Sequence, residues 1–260
     1  MLTAIIAGLF LASSAHAMYI LDNAYEMKCA LGMSKGLAKF TGGKSKCLTK
    51  CQQGARKAAN PASDCTAPYA GTTAFCVSDP VKGVEAKTIA KVLKGCVIDC
   101  PECYSGGDCS TYVPGRVASV ESQLDVFGPL IWCDDSGSGD GLTTIEAKCQ
   151  DTVAKTLAKF VGSKDKCYDK CLANQFKGKI PPGYSCTPPA TEPSTVACIN
   201  LAESKAAASI DKACTTAAAN PECYVPNFDT GAEWVAIAEA AVDANIVQTY
   251  CGSPSGAFVE

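Results

Sequence analysis

Among the 18 cysteines of this 260-residue chain, Cys100 and Cys103 stand at the Cys-x-x-Cys spacing of thiol-disulfide exchange. Such a dithiol works when a helix N-terminus lowers the pKa of one thiol, which places it between a strand and the helix that the strand feeds. Here Cys100-Pro101-Glu102-Cys103 follows a helical pattern and runs into Ser105-Gly106-Gly107-Asp108, so an oxidoreductase using Cys100 and Cys103 ranks third among the functional readings. A thiolate metal site on Cys100, Cys103 and Cys109 lacks a fourth ligand and would have to stay reduced.

The single histidine, His16, falls within an expected leader, which leaves the mature chain with none. That removes Ser-His-Asp and Cys-His nucleophile systems, His-bound zinc and Cys-x-x-Cys-His haem attachment. Ser163-Lys164-Asp165-Lys166 has the Ser-x-x-Lys form of penicillin-recognising acyl enzymes, but its repeat carries Gly43 at the serine and no mixed sheet is in prospect. The acids from Asp134 to Asp140 resemble a calcium loop, yet the twelfth position, where an EF-hand needs glutamate, is Ile145. The sequence therefore points to a non-enzyme, with no catalytic residue, metal or cofactor.

Lysines remain. Wound at 100° per residue, Lys28, Lys35, Lys39, Lys46 and Lys50 fall within an arc of about 60°, and Lys148, Lys155, Lys159, Lys166 and Lys170 repeat them position for position. A ridge of this kind suits an anionic polysaccharide, lipopolysaccharide phosphates or another anionic cell-surface component. The plain alternative is a solvated helix face whose lysine stems cover the edge of a core. A net charge of -3 gives no bulk affinity for nucleic acid.

Cysteine spacing supplies the framework for these stripes. Cys29, Cys47, Cys51, Cys65, Cys76, Cys96, Cys103 and Cys133 recur as Cys149, Cys167, Cys171, Cys186, Cys198, Cys214, Cys223 and Cys251, at offsets of 118 to 122 residues. Leu37-Ala38-Lys39-Phe40 returns as Leu157-Ala158-Lys159-Phe160, so the chain reads as a tandem duplication. An even cysteine count in an exported chain predicts a full set of disulfides, with no bridge between the repeats. Antiparallel packing of the first two helices of each repeat pairs Cys149 with Cys214 and Cys167 with Cys198. The separations of 18 and 16 residues span about 27 and 24 Å. Elimination then gives Cys171–Cys186 and Cys223–Cys251. The first repeat copies this as Cys29–Cys96, Cys47–Cys76, Cys51–Cys65 and Cys103–Cys133, with Cys100–Cys109 added.

The elements that carry these residues are helices. From Glu26 to about Lys57, and from Glu146 to about Lys177, the cysteines share an apolar arc of about 80° with Met33, Leu37 and Phe40, or with Val153, Leu157 and Phe160. Lys44 and Lys164 project into that arc just after Gly42-Gly43 and Gly162-Ser163, which predicts a kink. A second helix opens at Asp79-Pro80 and ends near Cys96, with a counterpart from about Thr195 to Cys214. A third carries Val117, Val120, Leu124, Phe127 and Ile131, and its copy runs from Trp234 to Tyr250. Nothing alternates with a period of two. The fold class is all-α: two tandem homologous disulfide-stapled helical-bundle modules of about three helices each, the first helix long.

The opening residues have an apolar run from Leu2 to Ala12 and close on Ala15-His16-Ala17, the form of a signal-peptidase site. The expected order is a signal peptide at 1–17, a helical repeat at 18–133, a Gly/Ser/Asp linker at 134–142 and a second repeat at 143–260. Once the leader is cut, no integral membrane segment is expected, and the location is extracellular, or the periplasm or cell surface in a bacterium. The leading functional reading is an exported, non-catalytic structural or surface-binding protein, with self-association as a further partner mode. The second is a carrier of small apolar ligands, held between helices beside Phe40 and Phe160.

Overall fold

The computed structural model describes residues 21, 23–133, 142–181, 183–214, 220–224 and 228–251; the expected leader at 1–17 and nearly all of the linker lie outside them. The described residues form an all-α fold of seven helices. Asn23 opens α1 (Ala24–Ala55) by accepting from the backbone N–H groups of Tyr25 and Glu26. Thr143 and Glu146 form a capping box at α5 (Thr144–Phe176), the other long helix.

Both long helices are continuous through Gly42-Gly43 and Gly162-Ser163, with no full stop there. Gly43 serves close packing: a Cβ there would stand 2.9 Å from a methyl of Val84. Gly36 does the same against Val92. Each lets a neighbouring helix approach α1 more closely than a side chain would allow.

The second helix of the first half also differs from its expected form. It is split into α2 (Gly71–Ser78) and α3 (Val84–Gly95), whereas the second half keeps one helix, α6 (Pro193–Cys214). From Cys76 to Cys96 is 20 residues, against 16 from Cys198 to Cys214, and the added stretch holds Pro80 and Gly83. Asp79 caps a turn there, accepting from Val81 and Lys82, rather than opening a helix. The last helices are α4 (Cys109–Trp132) and α7 (Gly231–Thr249), capped by Asp108 and by a Thr230–Glu233 capping box.

α1 and α5 lie side by side at the centre, with α3 against α1 and α4, and α6 against α5 and α7. Their contacts run in opposite directions along the chain: Ser45 meets Ala154, and Ser34 meets Asp169. The central pair is therefore antiparallel. The cores cross the halves as well. One buried cluster joins Leu48, Ile131 and Trp132 to Val153, Phe160 and Trp234, and another joins Leu21, Met27 and Ala30 to Tyr168 and Ile246.

All 18 cysteines are bonded. Seven bridges have the expected partners: Cys29–Cys96, Cys47–Cys76, Cys51–Cys65, Cys100–Cys109, Cys149–Cys214, Cys167–Cys198 and Cys171–Cys186. The other two correct the expectation. Cys103 pairs with Cys251 and Cys133 with Cys223, in place of Cys103–Cys133 and Cys223–Cys251. The physical reason is reach: a straight α4 carries Cys133 away from Cys103, toward the end of the other half where Cys223 sits. The exchange is reciprocal, since Cys223 repeats Cys103 and Cys251 repeats Cys133. That is the contact pattern of a twofold interface, in which residue i meets j and j meets i. Both cysteines that follow these helices, Cys133 and Cys251, take the left-handed conformation, with φ of 59° and 56°. A non-glycine residue there costs about 1–2 kcal/mol.

Candidate functional site

The ten lysines of the two stripes are exposed, as a hydrophilic face demands. Fold geometry then selects among them. Because α1 and α5 pack together, Lys46 and Lys50 from one half and Lys155 and Lys159 from the other line a single groove of about 420 Å³. Its floor is small: Gly42, Ser45, Thr49 and Ala158 keep side-chain bulk low where the helices meet. Ser45 Oγ donates to the carbonyl of Ala154 at 3.2 Å, and the seam closes at one end where Arg56 reaches Asp151 at 2.6 Å and Gln53 Nε2 reaches it at 2.5 Å. Arg56 is thus neutralised, whereas among the described residues the four groove lysines form no ion pair.

The opposite end of the seam has different chemistry. There the copies of Ser45 and Thr49 are Asp165 and Asp169. Asp169 accepts from Tyr250 Oη at 2.6 Å and lies near Lys35. The seam thus carries an uncompensated cationic groove at one end and acids at the other. Lys28, Lys35, Lys39, Lys148, Lys166 and Lys170 are exposed but outside the groove. Lys39 stands against Lys91 of α3, and that contact lowers its pKa.

Sequence reasoning missed a second cationic feature. Lys44 and Lys164 are fully buried, and each is held by two acids one helical turn apart. Lys44 Nζ lies 3.0 Å from Glu121 and 2.5 Å from Asp125, and Lys164 Nζ lies 2.5 Å from Glu239 and 2.8 Å from Asp243. A buried ammonium is tolerated only when paired in this way. A tyrosine completes each cluster, but from different places. Tyr69, from the loop after Cys65, donates to Asp125, whereas Tyr168 of α5 donates to Asp243 at 2.9 Å. Beside the second cluster, burial and the neighbouring Glu239 push the Glu203 carboxyl up to about 7. The recurrence of acids four apart, Glu121/Asp125 and Glu239/Asp243, at one offset was the available signal.

The cysteine candidates have structural partners. Cys100 and Cys103 are bonded to different residues, Cys109 and Cys251, so they do not form the dithiol pair of a redox motif. The sulfurs of Cys29, Cys96 and Cys109 lie close together because two disulfides abut there, with Cys29 Sγ 3.7 Å from Cys109 Sγ. Bonded sulfurs are not thiolate ligands.

An apolar cleft of about 90 Å³ lies where α1 and α5 meet α4 and α7. It belongs to both halves, rather than being repeated beside Phe40 and Phe160, which are sealed in the cores. Many of its lining residues are repeat partners, including Leu37 with Leu157 and Leu124 with Val242. No described helix is long and apolar enough to cross a membrane. Compared with protein-family models, curated proteins and solved structures, the chain matches none of them.

Proposed function

We propose that this is an exported, non-catalytic protein that holds an anionic polymer or cell-surface component in the groove between α1 and α5. The carrying observation is the convergence of Lys46 and Lys50 with Lys155 and Lys159 on one groove, although they come from opposite halves of the chain. Four unpaired ammonium groups along one channel suit a linear polyanion, whose binding releases counterions and weakens with salt. The disulfide-rich all-α fold supports a role outside the cell, where oxidised cysteines persist. The remaining exposed lysines extend the positive surface without defining its centre. Retention on immobilised heparin or anionic vesicles tests the reading. The Lys46→Gln, Lys50→Gln, Lys155→Gln, Lys159→Gln variant should elute at much lower salt than one changed at Lys28, Lys35, Lys148 and Lys170; equal elution overturns the groove.

A second reading, a carrier of small apolar ligands, draws on the cleft shared by the halves. The two sites are separable, because the groove is cationic and the cleft is largely apolar.

A further inference from the structure

The indole N–H of Trp132, in the last turn of α4, is a donor without an acceptor among the described residues. Its side chain is 4% exposed and forms part of the wall of the shared cleft. The duplication shows what is missing. Trp132 is the repeat partner of Tyr250, and Thr49 is that of Asp169. In the second half Tyr250 Oη donates to the Asp169 carboxyl at 2.6 Å. In the first half position 49 carries a hydroxyl instead of that acid, and it donates to the carbonyl of Ser45 at 2.8 Å. Trp132 thus has the burial of Tyr250 without its acceptor. A buried donor left unpaired destabilises a fold, and a molecule that supplies the acceptor relieves that cost.

We infer that the cleft binds a short-chain ketone or aldehyde, its carbonyl oxygen accepting from Trp132 Nε1 and its alkyl groups lying on the apolar wall. The wall beside Trp132 is made by Leu48, Phe127, Ile131, Ala154 and Leu157. Other functional groups fail there, each for its own reason. An ammonium brings donors only. A carboxylate would be buried without a countercharge, because Lys44, the lysine of the cleft wall, is already held by Glu121 and Asp125. A water or an alcohol can accept from the indole, but it brings a hydroxyl proton that these apolar side chains cannot accept. Size narrows the class further. At about 90 Å³ the cleft is about three fifths of the cavity of about 150 Å³ that takes up a benzene ring, so it has room for about four non-hydrogen atoms. That is the size of acetone, not of a fatty chain. So few atoms hold the Kd above about 40 µM even for the best ligand.

The inference rests on the carrier reading, and two probes of one shape, acetone and isobutene, separate the two. Each is titrated into the intact, oxidised, isotope-labelled protein and followed by the amide and indole N–H resonances; the two tryptophans give two indole signals, told apart by sequential assignment. Acetone should bind saturably and move the Trp132 indole proton downfield as the hydrogen bond forms, whereas isobutene should bind and leave that proton near its starting position. Trp132→Phe should lower the ratio of acetone to isobutene affinity at least fivefold, the effect of one ordinary hydrogen bond. The ratio cancels the space that the smaller ring opens and the different hydration of the two probes. The indole shift needs only the parent protein, so it decides even where Trp132→Phe does not fold. If neither probe binds, the carrier reading falls and this inference with it. If isobutene binds but acetone leaves the Trp132 indole in place, or the ratio is the same in Trp132→Phe, the cleft is a purely apolar carrier site and the carbonyl assignment is overturned.

Discussion

The hydroxyl of Tyr224 donates to the carbonyl of Ile131, 2.6 Å away, across the boundary between the two halves of the chain. Its repeat partner Tyr104 donates to the carbonyl of Thr249, the repeat partner of Ile131. Each tyrosine follows a crossing cysteine, so Pro-Glu-Cys-Tyr acts as a clasp that fixes the far end of the other half's last helix. Non-reducing peptide mapping should recover Cys103 linked to Cys251 and Cys133 linked to Cys223. A protease site placed between residues 134 and 142 gives an independent check: the cut chain should run as one species without reductant and as two with it. Separation without reductant would disprove the crossing. Tyr224→Phe, which leaves a buried carbonyl unpaired, should cost about 1–3 kcal/mol in denaturant unfolding.

The buried lysines give a second expectation. Replacing Lys164 by Met leaves Glu239 and Asp243 without their countercharge. Because these acids are 35% and 29% exposed, water takes up part of the loss, and the cost should be about 1–3 kcal/mol, below that of breaking a fully buried pair. Lys44→Met should behave alike against Glu121 and Asp125. Urea midpoints measure both, and an unchanged midpoint would show that these clusters contribute nothing to folding.

Glu203 makes stability depend on pH. Its folded pKa is raised from 4.5 to about 7, so between those values the folded state holds more protons than the unfolded state. Stability must then fall as pH rises through that window. Asp165, Asp169 and Glu85 are also raised, chiefly by burial, and act in the same direction, whereas Glu239 is lowered, so its contribution is lost only as pH falls below 4.5, outside that window. Glu203→Gln should flatten the decline in melting temperature from pH 4.5 to pH 7. A slope identical to the parent's would remove Glu203 from the account.

Much of this fold was legible because its signals are periodic. The recurrence of Cys29, Met33, Leu37 and Phe40 on one arc gave α1 its buried face, and two cysteine separations matched to helical rise paired Cys149 with Cys214 and Cys167 with Cys198. Elimination gave Cys171–Cys186 correctly but failed for Cys103, Cys133, Cys223 and Cys251, because it assumed that each repeat closes on itself. A repeat cannot announce whether Cys133 meets its own Cys103 or that residue's copy, since both have the same local sequence environment. Local pattern gave no hint that Gly43 also serves as a packing surface for Val84, because that contact comes from another helix. The lysine stripe was visible residue by residue, yet the groove was not. Only the antiparallel seam places Lys46 beside Lys155, and nothing along the sequence sets that register.

The central claim is that both halves build one anion site. Isothermal titration of the intact protein with a short heparin oligosaccharide at low salt tests it through stoichiometry. One oligosaccharide should bind per chain, and Lys46→Gln with Lys50→Gln should weaken that same site as much as Lys155→Gln with Lys159→Gln does. Two oligosaccharides per chain, with each pair of substitutions removing one and leaving the other at its original affinity, would contradict the shared groove.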